Sequence, residues 1–293
     1  MALRMAIDRR RLLRGGGSLA ASFGVLGARA HAADAPLRFA LTPVLLTSDL
    51  VMLEALKDYL AHAMGRPVQL VSRRTYQEIT ALLVTRQVDA AWICGYPFVA
   101  YRKELALVAV PVWRGKPLYQ SYLIGRAGQK ADNLADLAGT VHAFSDPDSN
   151  SGYLVTCAAL AEMGQSPGRF FSHFFYTYGH RNVVRAVATG LAVGGSVDGY
   201  VYDVLREAEP ALCADTRVIL KSELLGFPPI ACPAAEAQSP TIMQLREALI
   251  AMPNDQRGRD VLAMLRLDSF SNEPPELFDG IARKMDLVRG VPP

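Results

Sequence analysis

The run Asp146-Pro147-Asp148-Ser149-Asn150-Ser151-Gly152-Tyr153 puts carboxyl, hydroxyl and amide side chains beside a glycine within eight positions. It follows a short apolar segment, residues 141–144, that reads as a strand. It precedes an Ala-rich apolar stretch from Leu154 that reads as a helix. The first turn of a helix has unpaired backbone N–H groups and a partial positive charge. A small anion can dock there, held by those N–H groups and by Ser149, Asn150 and Ser151. The plainer reading is that Ser149 or Ser151 is an N-cap. A second chemically distinctive residue is Cys94. It closes a buried apolar strand, residues 88–93, and stands just before Gly95 and Tyr96 where a helix begins. A thiol at a helix start is expected to have a lowered pKa, although a small buried packing residue has the same sequence signature.

These residues need elements to position them. The apolar segments 37–41, 68–71, 88–93 and 105–113 read as strands. Between them, residues 49–64 and 76–86 show helical spacing, with Thr47 or Ser48 as the first cap and a helix expected over 96–103. A second series follows. Strands are expected at 119–124, 141–144, 174–178, 197–201 and 216–220. Helices are expected at 131–137, from Ser151, at 181–189 and at 202–207. Residues 228–231 read as extended and the chain from Thr241 as helical, with breaks near Pro253 and at 272–275. Alternating strands and helices predict an α/β fold with mostly parallel sheets, in two lobes. Ligands of such sheets bind beyond the carboxyl ends of the strands, which is where the Ser149 run and Cys94 fall. Tyr96, Tyr119 and Tyr153 can line such a cleft with a polar tip or pack in the core.

The N-terminus carries Asp8-Arg9-Arg10-Arg11-Leu12-Leu13-Arg14, then a weakly apolar segment and A-x-A sites around Ala30 and Ala32. Residues 1–32 are expected to be a twin-arginine-like export signal, cleaved near 30–32, which places the rest in the periplasm. Six of the 31 basic residues and one of the 28 acidic residues lie in that segment, so the remainder is near neutral, about −2. No polybasic run is left for nucleic acid. The four cysteines, Cys94, Cys157, Cys213 and Cys232, lack C-x-x-C spacing, so no zinc site is expected. No haem, ferredoxin or dinucleotide motif is present, so no cofactor is expected. In an oxidising compartment a Cys213–Cys232 disulfide is the favoured pairing, with Cys94–Cys157 as the other candidate.

Five landmarks occur in order: residues 37–43; Val88-Asp89-Ala90-Ala91-Trp92-Ile93 with Gly95-Tyr96-Pro97; the run from Asp146 to Tyr153; Gly179-His180 with 183–190 and Ser196-Val197-Asp198-Gly199; and residues 222–229. Together they resemble the periplasmic substrate-binding proteins for phosphate, phosphite and phosphonate uptake, over about residues 37–290. The resemblance implies a type II two-lobed binding protein, with residues 37–118 and 225–293 in one lobe and 119–224 in the other. It implies a small oxyanion or oxyacid held by Ser149, Asn150, Ser151 and His180. Tyr76 would add a hydroxyl, and Asp203 of the second lobe would read the non-phosphorus end. It further implies a monomer that serves a membrane ABC permease or the periplasmic domain of a histidine kinase. Two positions depart from the pattern. Asn150 stands where a threonine is usual, and Cys94 stands where phosphonate binders commonly have no thiol. Related proteins that sense arsenite for a histidine kinase carry a Cys in this region, so arsenite is an alternative solute. A different class of reading is an exported enzyme with a Cys94 nucleophile and a His180 base.

Overall fold

The structure, a computed structural model, describes residues 35–42 and 50–291. The expected export signal and the Thr47 or Ser48 cap lie outside the described residues. The chain begins with β1 (Leu37–Leu41), α1 (Leu50–Met64), β2 (Val68–Ser72), α2 (Tyr76–Val84), β3 (Ala90–Trp92), α3 (Gly95–Ala100) and β4 (Leu105–Val112). It continues through β5 (Leu118–Tyr119), β6 (Ser121–Arg126), β7 (Val141–Phe144), α4 (Val155–Glu162), α5 (Pro167–Phe170), β8 (His173–Tyr176), α6 (His180–Ala188), β9 (Gly194–Asp198) and α7 (Gly199–Ala208). Then come α8 (Pro210–Cys213), β10 (Thr216–Lys221), β11 (Leu225–Gly226), β12 (Ile230–Pro233), α9 (Pro240–Ala251), α10 (Gln256–Leu265), β13 (Ser269–Ser271) and α11 (Asp279–Arg289).

The strands form two mixed sheets, ordered β13-β4-β12-β3-β1-β2 and β10-β6-β9-β7-β8. In the first, β1 lies parallel between β2 and β3. In the second, β7 lies parallel between β8 and β9. The remaining pairings, β12 with β3 and β4, β13 with β4, β6 with β9 and β10, are antiparallel. Each sheet is thus a parallel βαβαβ core extended by antiparallel strands. The chain leaves the first sheet through β5 and returns through β11, and these two short strands pair with each other.

Sequence pattern explains most of these elements. In α6, His180, Val183, Val184 and Val187 recur at helical spacing and are all buried. Full burial of each valine is worth roughly 1.5–3 kcal/mol. Helix α2 opens on a capping box: the Thr75 hydroxyl accepts from the Glu78 N–H, and the Glu78 carboxylate accepts from the Thr75 N–H. Three expectations shift. The helix expected over 131–137 shrinks to one 3-10 turn, Ala135–Leu137. Strand β9 starts at Gly194 and not near Val197, because its first residues are glycines with no apolar signal. They are glycines for close packing: a Cβ on Gly195 would sit 2.5 Å from Val183 Cγ1, and one on Gly194 2.7 Å from Leu137 Cδ1. Strand β13 lies in a region read as helical; three residues are too short for a periodic signal. Among the described residues, no helix is long and apolar enough to cross a membrane.

Candidate functional site

Five loops leave the carboxyl ends of the parallel strands and converge. After β2 comes the capped start of α2 with Tyr76. After β3 comes Cys94, the residue preceding α3. After β7 comes the segment from Ser145 to Gly152. After β8 comes His180 at the start of α6, and β9 ends on Asp198. Tyr119 adds a side chain from the crossing strand β5. Tyr76, Cys94, Tyr119, Ser145, Asp146, Ser149, Asn150, Ser151, His180 and Asp198 are all buried.

Local structure at the Ser-rich run is a π-type turn, Asn150–Leu154, that feeds α4. Ser149 caps it, its Oγ accepting from the Gly152 N–H at 2.9 Å. Ser121 Oγ donates to the Ser151 carbonyl at 2.6 Å and ties the turn to β6. Only glycine fits at 152: a Cβ there would lie 1.8 Å from Ser145 Oγ and 3.0 Å from His180 Cε1.

Hydrogen bonds cross from one sheet's loops to the other's. The Asn150 backbone N–H donates to Cys94 Sγ at 3.1 Å, and Asn150 Nδ2 donates to the Tyr119 hydroxyl at 2.8 Å. Asp146 Oδ2 accepts from the Tyr76 backbone N–H at 3.3 Å, while Oδ1 accepts from the Asp148 N–H at 2.8 Å. The Asp198 backbone N–H donates to His180 Nδ1 at 3.1 Å, and His180 Nε2 lies 3.2 Å from the Tyr76 hydroxyl. A backbone N–H can only donate, so Nδ1 is the acceptor and the neutral ring carries its hydrogen on Nε2. Nε2 then donates to the Tyr76 oxygen, and the Tyr76 hydroxyl hydrogen is left for another acceptor.

Burial sets the electrostatics. It pushes His180 down to about 3, so the imidazole is neutral. It pushes Asp198 up to about 7, against the N–H groups of Val201 and Tyr200 that favour the carboxylate. Asp146 is raised, and Tyr76 and Tyr119 are raised well above the ordinary tyrosine value, again chiefly by burial. None of the hydrogen bonds above involves a Lys or Arg side chain. Three buried atoms in the cluster have no hydrogen-bond partner: Ser145 Oγ, Asn150 Oδ1 and Asp198 Oδ2. Unpaired buried acceptors are costly, and this cluster holds them beside hydroxyls with hydrogens free to donate. Among the described residues, no group of three or more His, Cys, Asp or Glu is placed to hold a metal ion.

The structure brings together Tyr76, Cys94, Tyr119, Ser149, Asn150, Ser151 and His180. It places three other candidates differently. Asp203 accepts from Arg114 at 2.9 Å and from the Tyr122 hydroxyl at 3.3 Å; its partners are not those of the cluster. Gly95 is fixed by packing, since a Cβ would lie 2.5 Å from Ile281 Cδ1 on α11. Tyr96 is half-buried beside Asp148, at the margin. The thiol expectation also reverses. Helix α3 has six residues, and burial outweighs its N–H groups, pushing Cys94 up to about 12. Cys94 is therefore a protonated thiol, and both His180 nitrogens are engaged elsewhere, so the nucleophile–base pair of the enzyme reading is not assembled. No disulfide forms: all four cysteines are free and buried, with Cys213 in α8 on the second sheet's side and Cys232 in β12 of the first. Sequence reasoning missed Ser145 and Asp198. The signal for Asp198 was present, an acid ending a short strand just before a helix, but the misplaced strand hid it.

A family model described as the periplasmic substrate-binding protein of a phosphonate ABC transporter matches residues 39–274. Among solved structures, a binding protein component of an ABC phosphonate transporter from Pseudomonas aeruginosa superposes with a TM-score of 0.79 at 22% identity, covering 87% of each chain. PhnD1 from Prochlorococcus marinus, solved with methylphosphonate, superposes with a TM-score of 0.77 at 13% identity, covering 87% of this chain and 98% of that one. At these identities the two structures speak for the fold alone.

Proposed function

Because the chain belongs to the periplasmic substrate-binding proteins of ABC phosphonate transporters, we propose that its cluster of strand-end residues captures a small phosphorus oxyacid and delivers it to a membrane permease. One observation carries this reading: Tyr76 from the first sheet and His180 and Asn150 from the second meet in one buried polar cluster that keeps unpaired acceptors. A ligand there bridges the two sheets. It favours the closed arrangement by its contacts to both, and that closed form is what a permease distinguishes. Residues 37–118 with 225–293 form one lobe and 119–224 the other, joined at β5 and β11. Residues 1–32 supply the export signal.

The test is thermal unfolding of the purified protein with methylphosphonate, aminoethylphosphonate, phosphite and phosphate. A ligand at 100 times its Kd stabilises by about 2.7 kcal/mol, a rise in Tm of about 5–10 °C for a chain of this size. A flat response to all four at millimolar concentration removes the reading.

The position of Cys94 favours a second solute, arsenite. Its thiol is inside the cluster, and a protonated thiol can condense with arsenous acid. The S–As bond forms as an As–OH bond breaks, and the thiol hydrogen leaves with that hydroxyl as water. An arsenite-induced rise in Tm that disappears in Cys94→Ser, with the phosphorus oxyacids inactive, makes this the correct solute.

A further inference from the structure

The hydrogen-bonding inventory of the cluster is unbalanced in a way that specifies how its ligand is protonated. Three hydroxyl hydrogens are available to a ligand oxygen. Tyr76 has its own because its oxygen accepts from His180 Nε2. Tyr119 has its own because its oxygen accepts from Asn150 Nδ2, and Ser149 because its oxygen accepts from the Gly152 N–H. The same cluster holds Asp198 Oδ2 and Asn150 Oδ1, fully buried and unpartnered. Asp198 Oδ1 is not equivalent, since it accepts from the Val201 N–H and caps α7. A fully ionised oxyanion satisfies the hydroxyls but has no hydrogen to offer the two unpaired acceptors, one of them a carboxylate.

We propose, building on the oxyacid-capture reading above, that the ligand is bound with one proton shared between a ligand oxygen and Asp198 Oδ2, so that capture of an oxyacid takes up a proton whenever both groups are ionised in solution. The remaining O–H or N–H of a ligand, where it has one, goes to Asn150 Oδ1. The groups that face Asp198 make the two-anion alternative costly. His180 touches it from α6 as a neutral ring that accepts from its backbone. Its carboxyl acts electrostatically on Tyr76 of α2, on Cys94 before α3 and on Tyr119 of β5, all uncharged. Asp203 and Tyr200 act on it from its own helix, Asp203 being already ion-paired with the exposed Arg114. None of the groups that act on Asp198 is a cation. Burial raises Asp198 toward 7 before any ligand arrives, in the direction that makes it a ready partner for a shared proton.

Isothermal titration of methylphosphonate at about pH 9, where ligand and Asp198 are both ionised when free, in two buffers of different ionisation enthalpy, measures proton uptake directly. The expected result is about one proton taken up per ligand bound, with Kd rising about tenfold per pH unit once the pH exceeds the pKa of both groups. Asp198→Asn keeps the helix cap but presents an amide N–H that can donate to a dianion. It is expected to abolish the uptake and flatten the pH dependence. Wild-type binding with no proton uptake, or tighter binding as the ligand becomes a dianion, overturns the inference while leaving the oxyacid reading intact. Uptake that persists in Asp198→Asn also overturns it, because the proton then sits elsewhere. If methylphosphonate, phosphite and phosphate all fail to bind the wild type from about pH 5.5 to about pH 8.5, the oxyacid reading fails and the shared proton with it.

Discussion

Two buried histidines on the second sheet do different jobs with the same chemistry. His142, in β7, and His180, at the start of α6, are each pushed down to about 3 by burial and are neutral. His142 lies wholly among its own sheet's elements. Its Nε2 meets Ser196 Oγ at 2.9 Å, Ser196 meets Thr156 at 2.6 Å, and its ring stacks on Phe171 at 4.3 Å. One ring nitrogen is unpartnered, lying against Gly194. His180 uses both nitrogens, reaches Tyr76 across to the first sheet, and belongs to a buried cluster that holds three orphaned oxygens. A depressed histidine pKa therefore marks burial, not function. What marks the site is that both sheets contribute to it and that its neighbours, not the histidine itself, lack partners.

The largest expected effect comes from overpacking the Ser-rich turn. Gly152→Ala forces a Cβ to 1.8 Å from Ser145 Oγ and 2.7 Å from Ser145 Cβ. Overpacking of this kind is expected to cost about 3 kcal/mol, a fall in Tm of about 6–12 °C, with loss of ligand binding. Gly168→Ala is the control, since its Cβ would have nothing within 4 Å. Equal Tm values for the two variants would show that the Ser-rich turn is looser than its contacts imply.

The histidines themselves give the next contrast. His142→Ala removes a stacked ring and strands Ser196 and Thr156, an expected loss of about 2–4 kcal/mol in stability with ligand affinity retained by the folded fraction. His180→Ala is expected to weaken ligand binding about 100-fold, near 2.7 kcal/mol, because it releases the Tyr76 hydroxyl and the Asp198 backbone together. Stability against pH cannot separate the two. Each folded-state pKa lies below the unfolded value of about 6.5, so both contribute stability that is present above that value and lost as pH falls toward about 3. Asp198 has the opposite sign: its folded pKa is raised, so its contribution is lost as pH rises through about 7. If His142→Ala abolished ligand binding in folded protein while His180→Ala spared it, the comparison would be inverted.

Much of this was legible in the sequence, for identifiable reasons. The βαβαβ cores were readable because strands such as Leu37–Leu41 and Val141–Phe144 are compact apolar runs and α6 has a strong helical period. The strand-end rule pointed to the Ser149–Ser151 run and Cys94, whereas Tyr76 and His180 were implied only by the family resemblance. Two kinds of information were not legible. A strand that opens on glycines for packing reasons has no apolar signal, which displaced β9 and concealed Asp198. The pKa of Cys94 depends on a balance between burial and helix N–H groups, and local sequence reports only the second.

Asp203 is the residue on which resemblance and geometry disagree, and it separates the two regions with the smallest expected effect. The resemblance assigns it to the ligand, whereas the structure gives it Arg114, whose guanidinium also lies 4.3 Å from the Trp113 ring. Arg114 follows β4 of the first sheet and Asp203 stands in α7 beside the second, so the pair joins the two sides outside the buried cluster. Arg114 is 60% exposed and Asp203 12%, and ion pairs at such a surface are worth about 0–1 kcal/mol. Asp203→Asn is therefore expected to change stability by less than about 1 kcal/mol. Any weakening of ligand affinity should stay within about threefold at low salt and vanish as salt screens the pair. Ionic strength is the decisive variable, because a buried ligand contact is far less sensitive to it. A loss of binding in Asp203→Asn that is large and independent of salt would return Asp203 to the ligand. The acidic role assigned to Asp198 would then have to be divided between the two.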